Sequence, residues 1–303
     1  MKNILIVARK EIIDVLRSKR FIALISLFII FYIAGLSFIF TMGSENIGRR
    51  PIIFLFSNLF NSLGFIAPLI GIVIGFDAIS GERERGTLKI LLSQPIYRDD
   101  IVNGKILAFI TVISLSILAA TSISMGLFTS FINISLDDIL RILLIAVFAI
   151  LLSIAYYSIS LFFSIHFRKT THSALASISL WIGLTLILPI LANIIAYSIV
   201  GPPPQINPGM AVQPKQRFRI FREYWNRYQA VVRSINFFSL NYHFNVIARR
   251  LLSTSIIITG QSERSIGIID SLSQSSVNIS ILVMVPIVFF LLSYIIFVRK
   301  EEK

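Results

Sequence analysis

Residues 142–167 read ILLIAVFAILLSIAYYSISLFFSIHF, without one Asp, Glu, Lys or Arg. A helix needs about 20 mostly apolar residues to cross the hydrocarbon core of a bilayer. This stretch is long enough, and five more uncharged stretches lie around it, at 21–44, 52–76, 106–136, 170–201 and 271–298. Over all 303 residues the chain is 55% hydrophobic and 14% charged, whereas a soluble domain carries about 25% charge. A soluble enzyme is excluded, and so are disorder and fibrous repeats. Membrane barrel strands would alternate over about 10 residues, and no such pattern is present. The sequence predicts an all-α polytopic membrane protein with six transmembrane helices. The first span begins after twenty residues rich in charge, too long and too late for a signal peptide.

Six spans place both termini on one side, and basic residues choose that side. The N-terminus, 77–105, 168–169 and the C-terminus together hold sixteen Lys and Arg, whereas the short loops opposite hold Arg49, Arg50 and Arg141. Short cytoplasmic loops collect Lys and Arg, so both termini are expected in the cytoplasm and the chain in the plasma membrane. The net charge of +13 follows from this bias plus a basic external region, and nucleic acid is not an expected partner.

Outward from the spans, four further segments are expected. Residues 1–20 form a cytoplasmic amphipathic helix, with Ile4, Leu5, Ala8, Ile12, Val15 and Leu16 on one arc and Lys2, Arg9, Lys10, Asp14 and Arg17 on the other. Such a cationic helix lies in the headgroup plane. Spans one to five occupy 21–200, interrupted by the polar cytoplasmic segment 77–105. That segment contains an apolar run, Leu88 to Leu92, which needs burial against headgroups or another protein. Gly86 and Thr87 are read as the break and N-cap of a short helix from Leu88, which Pro95 stops. Residues 201–270 form an extracytoplasmic helical insertion that opens on a stiff, proline-rich linker. One helix there aligns Phe218, Phe221, Trp225, Tyr228, Val232 and Ile235. A second, from about 240 to 258, aligns Phe244, Ile247, Leu251 and Ile258. The last span, 271–298, leads to a cytoplasmic tail at 299–303.

Chemistry is sparse. No phosphate-binding loop exists: the only Gly-Lys pair is Gly104-Lys105, with Asp99 in place of the first glycine and Ile106 after the lysine. ATP cannot be held that way. His166, His172 and His243 lack metal-ligand spacing, and cysteine is absent, so no metal site is expected. No span carries a charged residue for an ion relay. Asn58, Asn61 and Asn193 are the polar residues that a pathway could use, although hydrogen bonding between helices is the commoner role. Pro68, Pro189 and Pro286 are expected to kink their spans. Six spans without a relay either do not transport or draw energy from a docked partner.

The segment after the second span resembles the signature of ABC-2 type permeases, the membrane subunits of one class of ATP-binding-cassette transporters. It carries Glu82, Glu84, Gly86, Thr87, Leu88, Leu91, Leu92, Pro95, Ile96 and Arg98, then Gly104 and Lys105 before the third span. The order of spans and the N-terminal helix are also similar to that family. The resemblance implies a permease paired with a second copy or a related permease, with two separate ABC ATPase subunits docked beneath. The chain would bind no cofactor itself, and ATP and magnesium would sit on the partners. The residues from Glu82 to Arg98, with Lys105, would couple to the ATPases, Leu88–Leu92 being buried in their cleft and the charges at its rim. Transport would be export, and the chain would not be an enzyme. The alternative is a non-transporting scaffold that anchors an ATPase or an external assembly.

Overall fold

The computed structural model describes residues 2–19, 21–23, 26, 51–94, 97–129, 135–204, 214–252 and 267–299. Every regular element among them is helical. In chain order they are α1 (Lys2–Arg17), α2 (Pro51–Gly75), α3 (Ser80–Glu84), α4 (Thr87–Leu92), α5 (Arg98–Thr129), α6 (Leu136–His166) and α7 (Thr170–Ile182). A π-helical turn (Gly183–Ile187) leads to α8 (Leu188–Val200), then α9 (Pro214–Asn236), α10 (Leu240–Leu252), α11 (Ile268–Gln274) and α12 (Ser276–Arg299). Five helices among the described residues are long and apolar enough to cross a membrane. The first expected span, 21–44, falls almost wholly outside the described residues, as do Pro95 and Ile96.

The residues form two units, 1–178 with 243–303, and 179–242. In the first, α6 is the central element. Ala146, Ala149, Leu152, Ala155, Leu161 and Ile165 are fully enclosed. Hydrocarbon supplies no drive for helices to associate, so contact must come from close packing and hydrogen bonds. Gly71 and Gly75 provide it. They sit one turn apart on α2, and a Cβ on Gly71 would come within 2.3 Å of the Ser153 carbonyl oxygen, while one on Gly75 would meet Ser160 Cβ at 2.8 Å. Ser160 Oγ crosses this seam to donate to the Ile72 carbonyl at 3.2 Å. On another side of α6, Tyr157 stacks on Phe109 of α5 with ring centroids 3.8 Å apart.

Residues 243–252 of α10 pack into this unit. Phe244, Ile247 and Leu251 are fully buried, and Phe244 lies against Gly64 of α2. Arg141, at the start of α6, donates from Nη1 to the Leu251 carbonyl at 2.6 Å and from Nε to Asp137 at 2.6 Å. The buried His243 ring pairs with Asn278 of α12 at 2.8 Å. The apolar arc of α10 thus meets the spans themselves. The expected last span divides, because α11 ends at Gln274 and α12 starts after Ser275, whose hydroxyl donates back to the Ser271 carbonyl at 2.8 Å.

In the second unit α9 packs on α8, with the Tyr224 hydroxyl donating to the Gly201 carbonyl at 3.0 Å. The π turn lies immediately before Pro189. Proline has no amide proton and its ring crowds the carbonyl four residues back, so the helix widens there instead of breaking. Pro68 and Pro286 are carried inside α2 and α12.

Candidate functional site

The segment between α2 and α5 folds into two short helices, α3 and α4, hinged at Gly86. That glycine has φ of +73°, the left-handed region that a side chain disfavours. Thr87 is not the N-cap expected of it. The helix starts at Thr87 itself, with Gly86 as its cap residue, and the Thr87 hydroxyl donates back to the Glu82 carbonyl at 3.2 Å.

α3 is fastened to the end of α6 and the start of α7. Ser164 Oγ accepts from the backbone amides of Ile79 and Ser80, both at 2.9 Å, and so satisfies orphan donors at the start of α3. Arg83 donates to the Phe167 carbonyl at 2.9 Å, just past the last turn of α6. Glu84 accepts from the Thr170 amide at 2.9 Å and from its hydroxyl at 2.5 Å. A carboxylate at the first residue of α7 complements the positive end of that helix.

On the other face of α3, Glu82 is buried. Its Oε1 lies 2.9 Å from the ammonium of Lys105, itself only 4% exposed, and the same ammonium lies 2.9 Å from Glu11 of α1. Lys10 completes the group, 3.1 Å from Glu11 and 3.5 Å from Glu82. Charges taken out of water must be paired, and this cluster balances two carboxylates with two ammoniums. For Glu11 burial opposes ionisation, but Lys105 and Lys10 outweigh it and hold the carboxyl below its ordinary range. For Lys10 burial acts the opposite way from Glu11, Glu82 and Asp14, which together hold the ammonium above its usual range.

Gly104 explains how α1 comes so close. A Cβ there would stand 2.6 Å from Val7 Cγ1 and 3.2 Å from the Ile4 carbonyl oxygen. The Gly104-Lys105 pair therefore seats α1, the glycine by leaving room and the lysine by charge. Sequence reading placed Glu82 among the charges at a docking rim, whereas the structure encloses it. Lys105 lies 23 positions away, and no local pattern pairs the two.

α4 stands beyond this joint. Leu88 is buried within the chain, Ile90 is 65% exposed, and Leu91 is half-buried. Tyr97 is 76% exposed. The side chain of Leu92 lies outside the described residues. Arg98 reaches the Phe297 carbonyl at 3.5 Å, at the far end of α12. The apolar run thus splits, with Leu88 rooting the helix and Ile90 facing outward. Of the three asparagines, the side chain of Asn58 lies outside the described residues and Asn61 is exposed. Asn193 sits within the second unit, where the Tyr228 hydroxyl bonds its Oδ1 at 3.0 Å.

Residues 5–301 match a family model described as ABC-2 family transporter protein. The chain is 32% identical over 118 residues to a probable ABC transporter permease protein NosY of Stutzerimonas stutzeri, covering 39% of this chain and 42% of that one. It is 31% identical over 112 residues to the protein of the same name from Pseudomonas aeruginosa, covering 37% of this chain and 40% of that one. The matched part spans about two fifths of the length of these curated relatives.

Proposed function

The chain belongs to the ABC-2 transporter family, and we propose that it is a permease subunit whose α3–α4 elbow receives force from a separate ATPase. The observation that carries this reading is the contrast between the elbow's base and its tip. The base is tied to α6 and α7 through Ser164, Arg83 and Glu84, and to α5 and α1 through Glu82 and Lys105. The tip offers the exposed Ile90. A displacement of α4 is thereby delivered to four helices at once, which is what mechanical coupling between two sites requires.

In this reading both termini and the elbow face the cytoplasm of the cell membrane, where most basic residues of the short loops collect. Two ATPase subunits bind there with ATP and magnesium, and this chain binds neither. A second permease covers part of the exposed apolar surface of α12, where Val288, Leu291 and Ile295 point outward. The translocation path runs between the two permeases, and the direction is export. Glu84, Gly86, Thr87, Leu91, Leu92, Pro95 and Arg98 shape the docking element, with Glu82, Leu88 and Lys105 setting its position.

Replacing Leu91 and Leu92 together by Asp tests the reading. The expected result is loss of ATPase co-purification and of ATP-dependent transport, with the permease still inserted. Retention of both the complex and ATP turnover overturns it.

A further inference from the structure

The helix Thr170–Val200 runs through α7, the π turn and α8 and is 31 residues long, about 46 Å at about 1.5 Å per residue. The hydrocarbon core is about 30 Å thick, and the bilayer about 40–45 Å with its headgroups. Arg168 and Lys169 mark one edge of the core. Asn193 then stands about 35 Å along the helix, past the far edge and among the headgroups. A usual tilt of about 20° shortens that distance by only a few Å.

α9 lies alongside α8 at this level. The Tyr228 hydroxyl bonds Asn193 at 3.0 Å, and the Tyr224 hydroxyl bonds the Gly201 carbonyl at 3.0 Å. Later residues of α9 thus meet earlier residues of α8, so α9 descends toward the core. Its composition follows the descent. Lys215, Arg217, Arg219, Arg222 and Arg227 fall in its first fourteen residues, and only Arg233 in its last nine. Past the deep end Phe237 and Phe238 stand outward, Phe238 being 75% exposed. Between the ends Phe218, Phe221 and Trp225 share an exposed face.

Glu223 is the one carboxylate of α9, and it pairs with Arg219 at 3.5 Å. Among the described residues the exposed Arg222, Arg227 and Arg233 have no ion-pair partner. Cations gathered at the shallow end, an aromatic face and an apolar tip at the deep end fit a leaflet, whose phosphates lie outside its acyl chains. A second copy of α9 would set like charges against each other. We propose that α9 is seated in the headgroup layer and binds anionic phospholipid there. Arg222, Arg227 and Arg233 hold phosphates, Arg233 by reaching outward along its stem, while Trp225 lies at the acyl boundary and Phe238 enters the chains. Each Lys or Arg near the surface favours anionic over zwitterionic lipid.

Trp181 and Trp225 are the two tryptophans of the chain, so Trp181→Phe leaves Trp225 as the sole probe. The full-length variant is reconstituted in phosphatidylcholine with a minority of phosphatidylglycerol. Bromine is placed on the acyl chains of the phosphatidylglycerol, or of an equal amount of the phosphatidylcholine. Quenching of Trp225 by the brominated phosphatidylglycerol is expected to be at least about twofold the stronger, and the excess to vanish in about 1 M salt. Arg222→Gln, Arg227→Gln and Arg233→Gln together are expected to bring the ratio close to one. All three side chains are exposed, so the triple variant keeps the fold. The parent chain, with both tryptophans, gives a second reading by native mass spectrometry. There the triple variant is expected to retain at least about twofold less phosphatidylglycerol than the parent.

Equal quenching by the two lipids overturns the proposal, as does a ratio or a retention that the triple substitution leaves unchanged. Absence of lipid quenching, with Trp225 open to aqueous acrylamide, also overturns it and makes α9 a surface for an acidic protein. No ATPase takes part in either assay, so failure here would leave the coupling reading standing.

Discussion

Lys105 Nζ lies 2.9 Å from Glu82 and 2.9 Å from Glu11, so one buried ammonium joins the elbow after the second expected span to the N-terminal helix. Replacing Lys105 by Met leaves Glu82 and Glu11 with the half-exposed Lys10 as their remaining cation. Breaking a buried pair from one side costs about 3–5 kcal/mol. Lys105→Met is therefore expected to lower the melting midpoint in detergent sharply. Lys105→Met with Glu82→Gln is expected to recover part of that loss. A double variant as unstable as the sum of the singles would mean that the two residues are not coupled.

Gly104→Ala places a methyl within 2.7 Å of Val7 Cβ. Overpacking of this kind costs about 1–3 kcal/mol, and here α1 is the element free to move away. Trypsin is expected to cut after Arg9 and Lys10 faster in Gly104→Ala than in the parent chain. Unchanged cleavage would show that α1 is not seated on Gly104.

Glu84 is bound to the first residue of α7 through the Thr170 amide and hydroxyl. Glu84→Ala removes both acceptors and a negative charge from a helix start. Hydrogen exchange at residues 170–173 is expected to quicken, with exchange in the middle of α6 unaffected. If the two regions changed together, Glu84 would act on global stability and not as a local cap.

Glu11 supplies a pH dependence. Its carboxyl is held below the ordinary 4.5: burial opposes the shift, and Lys105 and Lys10 overcome it. A depressed carboxylate stabilises the fold above its unfolded value, and that contribution fades as pH falls through the lower folded value. The melting midpoints of the parent chain and Glu11→Gln are expected to differ most above the ordinary 4.5 and to converge only as pH falls through the lower folded value. A gap that stays constant as pH falls from 7 to well below 4.5 would remove Glu11 as the titrating group.

Arg141 tethers α10 by donating to the Leu251 carbonyl while it pairs with Asp137. Arg141→Met is expected to cost about 2 kcal/mol, the scale of a hydrogen bond to a charged group. It should also expose the Arg249-Arg250 bond to added protease. Protection equal to that of the parent chain would assign the seating of α10 to Phe244 and Ile247 alone.

The helical class, the long apolar helices, the amphipathic α1 and the short helix near Leu88 were all legible in the chain. Each rests on hydropathy or backbone preference within a window of twenty residues or fewer. The family was legible in the segment from Glu82 to Lys105, and how its residues are placed was not. Leu88 and Ile90 look alike on paper, yet one is buried and the other stands exposed, because only one of them turns toward the body of the chain. Gly71 and Gly75 look in the sequence like ordinary residues of an apolar run, and the reason for their lack of side chains is the close approach of α6.

By itself the sequence determined where helices form and which of them prefer lipid, since these depend on side chains summed along a short length of chain. Tertiary structure alone decided that Gly104 and Lys105 seat α1, that Glu82 is enclosed, and that residues 243–252 pack among the spans. Those outcomes depend on pairing across separations of 23 residues, for Glu82 and Lys105, of 110, for Arg141 and Leu251, and more, for Gly64 and Phe244. The energy of a buried charge or of a close backbone contact is set by the partner that folding brings to it, and a neighbour in sequence carries no record of that partner.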